Sequence, residues 1–202
     1  MPRARIFVDF WNLQISLKSV RNDKYAVDYK KFPVWLTQKA SELVGEKLDF
    51  DGMKVYISYN PGSDGDRKLL NWANNKLAFL PGVNISIHER KPKGPPVCQN
   101  CHNKITKCIH CEAELHRTIE KGVDTSIVTD LLGLAWEKAW DIAILVSEDR
   151  DYVPAVNLLS TKGYRVVNAH IPPPGRELVK ACWGNINLDS NALSDFEYVK
   201  TI

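Results

Sequence analysis

Residues 5–9, Arg5-Ile6-Phe7-Val8-Asp9, form a short run of bulky apolar residues that stops at a carboxylate. Such a run predicts a strand that is covered on both faces. Helix-like segments separate most of the later runs of this kind, and this alternation is typical of a parallel sheet with crossover helices. Four more strands are predicted, at residues 54–58, 84–88, 142–146 and 164–168. The sequence therefore predicts an α/β fold with a five-stranded central sheet.

The segments between these runs carry apolar residues at a helical period. The runs at 5–9, 142–146 and 164–168 are nearly continuous in aliphatic residues, whereas the other two alternate and are expected nearer an edge of the sheet. Helices are predicted at residues 32–45, 66–80, 125–140, 152–162 and 176–183.

The chain of 202 residues is long enough for one globular domain with a small appended module. Its net charge of +3 is too small to indicate nucleic-acid binding by itself, although it is compatible with a locally basic face. No apolar run approaches the roughly 18 residues that cross a bilayer, and the N-terminus does not resemble a signal peptide. A cytoplasmic protein without membrane association is therefore expected.

Residues 91–96, Lys91-Pro92-Lys93-Gly94-Pro95-Pro96, interrupt this pattern and begin an inserted module that is expected to end near residue 120. Two C-x-x-C pairs follow, separated by six residues: Cys98, Cys101, Cys108 and Cys111. This spacing predicts a zinc-ribbon-like module in which four thiolates close a tetrahedral shell around a structural Zn²⁺. A dithiol redox pair and a chance grouping of thiols are the alternatives. The neighbouring histidines, expected to lie exposed, are His102, His110 and His116.

Basic residues surround the cysteine pairs: Arg90, Lys91, Lys93, Lys104, Lys107 and Arg117. They could contact the phosphates of RNA, or they could be ordinary solvated residues of a surface loop. A surface for a protein partner is a third interpretation of the module. Trp11 is the tryptophan considered for base stacking, because it lies beside Asp9, although core packing is favoured for it.

Carboxylates follow the first and fourth predicted strands, at the edge where an open parallel sheet binds its ligands. Asp9 ends the first strand, Asp149 comes shortly after the fourth, and Asp124 precedes the helix between them. Two bare carboxylates about 4 Å apart repel by roughly 4 kcal/mol at an effective dielectric of about 20, so a convergent cluster holds protons or a cation. Oxygen ligands favour Mg²⁺ or Mn²⁺, which can activate a water and neutralise charge on a phosphodiester.

Each of these carboxylates also has an ordinary structural interpretation. Asp is common in turns after strands, and Asp124 could be the N-cap of the following helix. Asp130 lies roughly 120° around that helix from Asp124, which makes it an outer residue of the site or a solvated or capping residue. Other α/β chemistries lack their motifs: position 11 is Trp where an aspartyl-phosphate phosphatase needs Asp, and no phosphate-binding glycine loop or serine elbow occurs.

Three blocks of the sequence resemble the signature blocks of NYN domains, the LabA-like group related to PIN domains. The blocks are Ile6-Phe7-Val8-Asp9-Phe10-Trp11-Asn12, then Lys121-Gly122-Val123-Asp124 with Asp130, then Leu145-Val146-Ser147-Glu148-Asp149-Arg150-Asp151-Tyr152-Val153-Pro154. The resemblance implies a three-layer PIN-like fold of Rossmann type, with strand order 3-2-1-4-5, over residues 1–202 apart from the insertion at 91–120. It also implies a Mg²⁺- or Mn²⁺-dependent ribonuclease, which is the activity predicted for many members.

On this resemblance the metal ligands are Asp9, Asp124 and Asp149, supported by Asn12 and Asp151. The chain departs from the family pattern at two positions. Glu148 stands where members usually have Gly, and Arg150 stands where they have a small residue. An added carboxylate would alter the site.

The leading hypothesis is an endoribonuclease that prefers single-stranded RNA, in which Asn12 orients a ligand or water. A non-catalytic module that binds RNA or a protein partner is the first rival. A 5′-nuclease or DNA-directed enzyme is the second, because carboxylate and metal chemistry does not recognise the sugar. The sequence leaves a homo-oligomer open.

Overall fold

The computed structural model describes residues 1–21, 25–115, 117–173 and 176–199. Its strands, in chain order, are β1 (Arg3–Asp9), β2 (Asp49–Tyr59), β3 (Val83–Glu89), β4 (Lys91–Lys93), β5 (Arg117–Ile119), β6 (Ile142–Val146), β7 (Arg165–His170) and β8 (Gly184–Asn187). Six of them form a central sheet in the order β3-β2-β1-β6-β7-β8, in which every neighbouring pair is parallel. The other two, β4 and β5, pair antiparallel as a separate ribbon.

The helices of these ranges are α1 (Phe10–Val20), α2 (Phe32–Val44), α3 (Asp64–Asn75), α4 (Val123–Trp136), α5 (Val153–Thr161), α6 (Arg176–Ala181) and α7 (Ser190–Asp195). Short 3-10 helices occur at Leu77–Phe79 and Arg150–Tyr152. None of the helices described is long and apolar enough to cross a membrane.

The α/β class and the parallel sheet agree with the sequence-based prediction. The predicted order 3-2-1-4-5 occurs within the sheet as β3-β2-β1-β6-β7, but the predicted count of five strands was wrong. The sixth strand, β8, pairs with β7 at the edge of the sheet. It was missed because Ile186 is its one aliphatic residue, so its sequence contains no apolar run that would indicate a strand.

Helices were predicted near α2, α3, α4, α5 and α6, but α1 and α7 were missed. The cause at α1 is visible in the structure. Asp9 ends β1 and also caps α1, because its carboxylate accepts the Asn12 backbone N–H at 3.1 Å. One residue thus serves two elements, and the sequence contains no polar turn between them.

Two apolar cores lie on opposite faces of the sheet and make the fold three-layered. β1 contributes to both, because Ile6 and Val8 pack on one face and Phe7 packs on the other. Residues of α1 and α2 belong to the first core, and residues of α4 and α5 belong to the second. This arrangement fixes the positions at which the strands end.

The inserted segment leaves the sheet after β3 and returns toward α4 through the β4–β5 ribbon. This ribbon pairs Lys91 with Ile119 and Lys93 with Arg117. Residues 91–119 are named the cysteine arm, and His116 within it lies outside the described residues. The arm therefore begins and ends near the carboxyl end of β3.

Candidate functional site

The carboxyl ends of β1 and β6 lie side by side in the sheet. Their parallel register pairs Ile6 with Ile144 and Val8 with Val146, so the residues that follow both strands emerge at one edge. Asp9 and Asp149 can face one crevice only if the first and fourth predicted strands are neighbours, and these strands, β1 and β6, are neighbours in the sheet. It is the edge at which a parallel sheet gathers its functional residues.

Asp9 is almost completely enclosed at this edge, with 5% of its surface exposed. Its Oδ1 accepts the Asn12 N–H at 3.1 Å, and its Oδ2 accepts the Tyr152 hydroxyl at 3.0 Å. The pKa of Asp9 is raised to about 6, chiefly by burial and also by the charges of Asp124 and Glu120. A carboxylate in this setting is costly to ionise unless a cation compensates it.

The Tyr152 hydroxyl joins Asp9 to Asp124. It lies 3.0 Å from Asp9 Oδ2 and 3.0 Å from Asp124 Oδ1, and the side chain is fully buried. A hydroxyl has one proton, so it can donate to only one of the two carboxylates at a time. Burial and both carboxylates raise the pKa of Tyr152 well above its ordinary value. Tyr152 therefore stays a neutral phenol between two acidic groups.

Asp124 lies in the first turn of α4, where the free N–H groups of a helix favour a negative charge. The N-cap is Gly122, in the left-handed region at φ 91°, so the alternative that Asp124 caps this helix was wrong. Burial raises the pKa of Asp124, and the charges of Asp149, Glu120 and Asp151 raise it too. Acidic groups from several segments of the chain thus meet near Asp124.

Asp151 lies on the short helix that follows β6, and Asp149 is the N-cap of this helix. Asp149 Oδ1 accepts the Asp151 N–H at 2.9 Å and caps this turn, while the Asp149 N–H donates to the Ser147 hydroxyl at 3.1 Å. Asp151 is exposed. The same Ser147 hydroxyl lies 3.5 Å from Asp9 Oδ2, so Asp149 lies beside the Asp9–Asp124 pair, and the charges of Asp149 and Asp151 both raise the pKa of Asp124. The region around Asp9, Asp124, Asp149 and Asp151 is named the acidic crevice.

Asn12 and Glu148 fasten the loops around these carboxylates. Asn12 Oδ1 accepts the Glu148 N–H at 2.8 Å, which connects α1 to the loop after β6. The Glu148 carboxylate accepts the Ile171 N–H at 3.2 Å and is directed at the backbone after β7. The Glu148 side chain therefore holds its loop against the backbone after β7, beside the acidic crevice. The role of Asn12 in orienting a ligand stays a prediction.

Asp130 holds α4 against β2. Its Oδ2 accepts Lys54 Nζ at 2.6 Å and the Tyr56 hydroxyl at 2.6 Å. Burial, and then the neighbouring Asp130, raise the pKa of Tyr56 above its ordinary value. Asp130 is therefore engaged in a half-buried ion pair, and neither the solvated nor the capping interpretation of this residue holds.

Asp130→Ala should lower the free energy of unfolding by about 1–2 kcal/mol, because a half-buried ammonium and a hydroxyl both lose their acceptor. Denaturant unfolding measures the loss. Lys54→Met and the double variant complete a cycle, in which the two single effects should not add because the residues are in contact. Additive losses would contradict the ion pair.

Glu120 also borders the acidic crevice, and sequence reasoning missed it. Its Oε2 accepts a hydrogen bond from the Ser58 hydroxyl and lies 3.4 Å from Arg90 Nη2. Its charge raises the pKa of both Asp9 and Asp124. Glu120 was assigned to the end of the inserted module, although its position four residues before Asp124 was an available signal. Tyr152 was missed because an aromatic residue at the start of a helix is ordinarily attributed to the core.

The two C-x-x-C pairs form two turns of the same backbone geometry. In each, the first cysteine donates its N–H to the carbonyl five residues on and accepts the N–H of the residue four residues on, all at 2.9 Å. That residue is left-handed in both turns, with φ 57° at His102 and 56° at Glu112. Backbone N–H groups within the turns lower the pKa of the Cys98 and Cys108 thiols. Such contacts favour the thiolate, which is the form that binds metals.

No three His, Cys, Asp or Glu side chains in the described part of the chain are placed so as to hold a metal ion. The acidic crevice nevertheless offers only oxygen donors, and one hydroxyl draws Asp9 and Asp124 together. Mg²⁺ commonly keeps several waters and takes one or two protein carboxylates, so this donor set fits Mg²⁺ or Mn²⁺. The sulfur donors of the cysteine arm fit Zn²⁺.

Comparison with known proteins supports the fold and identifies the family. No curated protein matches the chain significantly. A solved structure of a protein of unknown function from Vibrio parahaemolyticus aligns over 98% of this chain and 96% of that one, with a TM-score of 0.59 and 16% identity, which supports the fold alone. The family model of the NYN domain matches residues 3–189, which include every strand of the central sheet and every residue of the acidic crevice. The chain belongs to the NYN domain family.

Proposed function

We propose that this chain is a Mg²⁺- or Mn²⁺-dependent endoribonuclease that hydrolyses phosphodiester bonds of single-stranded RNA. The observation that carries the proposal is the Tyr152 hydroxyl between the carboxylates of Asp9 and Asp124, at the carboxyl edge of the sheet. Two like charges held at one hydroxyl cost stability, so a purely structural role does not account for them. Membership of the NYN family, whose members are generally predicted nucleases, supports the same conclusion.

Asp9 and Asp124 would hold the ion, and Asp149 and Asp151 would add negative charge beside Asp124. When bound, the ion would lower the pKa of a water and neutralise charge that develops on the phosphodiester. Tyr152 keeps the two carboxylates together, and the backbone N–H that Asp9 accepts fixes the rotation of its carboxylate. These contacts prepare the crevice before any ligand arrives.

The cysteine arm would bind one structural Zn²⁺ through Cys98, Cys101, Cys108 and Cys111. The repeated turn geometry supports this, because both turns direct backbone N–H groups at the sulfur of their first cysteine. Four sulfur ligands would leave no open position on the ion. The zinc would then stabilise the arm and leave the chemistry to the carboxylates.

Asp149→Asn should lower the rate of RNA cleavage by about 10- to 100-fold, the usual effect of losing a residue that supports a metal site. Asparagine keeps the side-chain oxygen that accepts the Asp151 N–H, so the turn after β6 stays capped while the charge beside Asp124 is lost. Cleavage of labelled single-stranded RNA with Mn²⁺ or Mg²⁺, with and without a chelator, measures the effect.

Asp141→Asn is the matched control, because Asp141 pairs with Arg3 at the opposite edge of the sheet and should not affect cleavage. Cleavage that persists in chelator, or equal rates for Asp149→Asn and the wild type, would sink the metal assignment. A panel of RNA, single-stranded DNA and duplex substrates separates a ribonuclease from a DNA-directed enzyme or a 5′-nuclease.

The alternative is a non-catalytic module that binds RNA or a protein partner through the exposed, basic cysteine arm. Under that alternative the acidic crevice binds no divalent ion. Calorimetric titration of Mn²⁺ into the wild type and into Asp9→Ala distinguishes the two functions without knowledge of the substrate. Heat of binding that disappears in the variant supports the nuclease, and its absence from both proteins supports the binding module.

A further inference from the structure

Arg90 lies directly after β3, at the foot of the cysteine arm, where the foot is the name given to the two residues Arg90 and Glu120 that flank the β4–β5 ribbon. Its N–H donates to the Tyr59 carbonyl at 2.8 Å, so its backbone is held against the end of β2. Its guanidinium Nε donates to the Ser58 hydroxyl at 2.9 Å, and Nη2 lies 3.4 Å from Glu120 Oε2. Only 26% of the side chain is exposed. The charge of Arg90 therefore has a defined position.

Trp11 supports this guanidinium from one side. Arg90 Cζ lies 4.9 Å from the centroid of the Trp11 ring, and Trp11 Nε1 donates to the Ser58 carbonyl at 2.6 Å. Phe10 meets the same ring edge-to-face at 5.4 Å. Because Arg90 covers the indole, Trp11 is a support for a cation here, and the base-stacking role considered for it is not favoured.

Arg90 also borders the acidic crevice. The Trp11 ring that it covers belongs to the residue two positions after Asp9, and its ion-pair partner Glu120 precedes Asp124 by four residues. The charge of Glu120 also raises the pKa of both carboxylates. A phosphodiester that approaches these carboxylates is repelled, so its binding needs a fixed positive charge nearby. The Nη1 amino group of Arg90 has no partner among the residues that the structure describes.

We propose that Arg90 binds a backbone phosphate of single-stranded RNA beside the Asp9–Asp124 pair, and that Trp11 and Ser58 orient it. The identity of the polyanion rests on the proposed function. A planar guanidinium can donate two parallel N–H groups to one phosphate, which a lysine cannot do. Its immobilisation by an ion pair, a hydrogen bond and an aromatic face also lowers the entropy lost when it binds.

The test measures binding without cleavage, by fluorescence anisotropy of a labelled oligouridylate of about 12 nucleotides in buffer without Mg²⁺ or Mn²⁺ and without chelator, so that any zinc stays in the arm. Arg90→Met should weaken binding by at least about 10-fold. It should also make the slope of log affinity against log salt shallower by about 0.7, the effect of losing one phosphate contact on a single strand. The salt slope identifies a phosphate contact, because a merely structural residue at the foot of the arm would not change it.

Arg165→Met is the matched control. Arg165 also stacks on a tryptophan, with Cζ 5.0 Å from the Trp183 ring centroid, but it begins β7 at the opposite edge of the sheet. Its replacement should change neither affinity nor salt slope. Glu120→Gln keeps a side-chain oxygen that can accept from Ser58 and Arg90, so Arg90 stays in place while one charge that repels phosphate is removed. This variant should bind at least as tightly as the wild type with the same slope.

Equal affinity and salt slope for Arg90→Met and the wild type would overturn the inference, as would failure of the wild type to bind the oligonucleotide. A loss of affinity in Arg90→Met that Glu120→Gln reproduces would also overturn it, because disruption of the arm would then be the cause. The proposed nuclease fails separately: if binding depends on Arg90 but no divalent ion supports cleavage, the inference stands and the nuclease does not.

Discussion

Replacing Asp9 with asparagine should abolish RNA cleavage and at the same time make the metal-free protein more stable. Asparagine keeps the Oδ1 acceptor for the Asn12 N–H and fits the space beside the Tyr152 hydroxyl, but it removes a buried charge. The fall in cleavage should exceed about 100-fold, because even residues that only support a metal ligand cost about 10- to 100-fold. Gain of stability with loss of activity is the pattern expected of a residue kept for function.

The gain in stability follows from the pKa of Asp9. Folding raises this pKa from 3.8 to about 6, so the folded state binds the proton more tightly than the unfolded state. The stabilisation is fully present below about pH 4 and is lost as the pH rises through 6. At neutral pH the ionised carboxylate costs about 3 kcal/mol, at about 1.4 kcal/mol per pKa unit, and Asp9→Asn should recover much of this. The variant should also lose this part of the dependence of stability on pH.

Denaturant unfolding of both proteins between pH 4 and pH 8, in buffer without Mg²⁺ or Mn²⁺, checks the prediction. Added Mn²⁺ should then stabilise the wild type by mass action and leave Asp9→Asn unchanged. Asp141→Asn again serves as the control, since its carboxylate is exposed at the far edge of the sheet. A variant that keeps the wild-type cleavage rate, or that is less stable than the wild type at pH 7, would contradict the assignment of Asp9.

The strands of the sheet could be predicted where the sequence contains a run of apolar residues. The segments at β1 and β6 are such runs, and their ends located Asp9 and Asp149 at the correct edge. β8 could not be predicted from its sequence, because pairing with β7 and burial of Ile186 hold it in place. Contacts with the rest of the sheet, and not the preferences of its own residues, make this segment a strand.

The candidate site was predictable only for residues that adjoin strand ends or match a family block. Tyr152 reaches Asp9 and Asp124 across the fold, and nothing in a linear pattern indicates that its hydroxyl lies between them. Arg90 and Glu120 are separated by the whole cysteine arm, yet the β4–β5 ribbon brings them together as an ion pair. Such contacts depend on topology, which periodicity does not encode.

This ion pair also relates the arm to the crevice. Arg90 directly precedes β4 and Glu120 directly follows β5, so the foot of the arm is itself part of the crevice wall. A change in the fold of the arm would be transmitted to Arg90 and Glu120 through the ribbon. On the proposed function, the metal state of the cysteine turns would therefore affect substrate binding even though zinc takes no part in the chemistry.

Cys101→Ser should eliminate bound zinc, whereas the wild type should carry one Zn²⁺ per chain. Structural zinc in small modules is worth about 10–16 kcal/mol of apparent binding free energy at pH 7, and an arm with little core of its own depends on it for folding. Loss of the ion should expose the arm to limited proteolysis. It should leave the main unfolding transition within about 1 kcal/mol of the wild type, since none of the described residues of the arm belongs to the two sheet cores. Elemental analysis and protease mapping measure these effects.

Cys182→Ala is the control that separates zinc loss from the general loss of a thiol. Burial raises the pKa of Cys182 to about 12, and the residue packs in the core beneath α4 and α5, so it is a poor metal ligand. This variant should keep its zinc although it loses some core packing. Zinc retained in Cys101→Ser would show that the four sulfurs do not form one shell. A zinc-free wild type with an intact arm would show that the repeated turns hold themselves, because their backbone hydrogen bonds would then suffice without a metal.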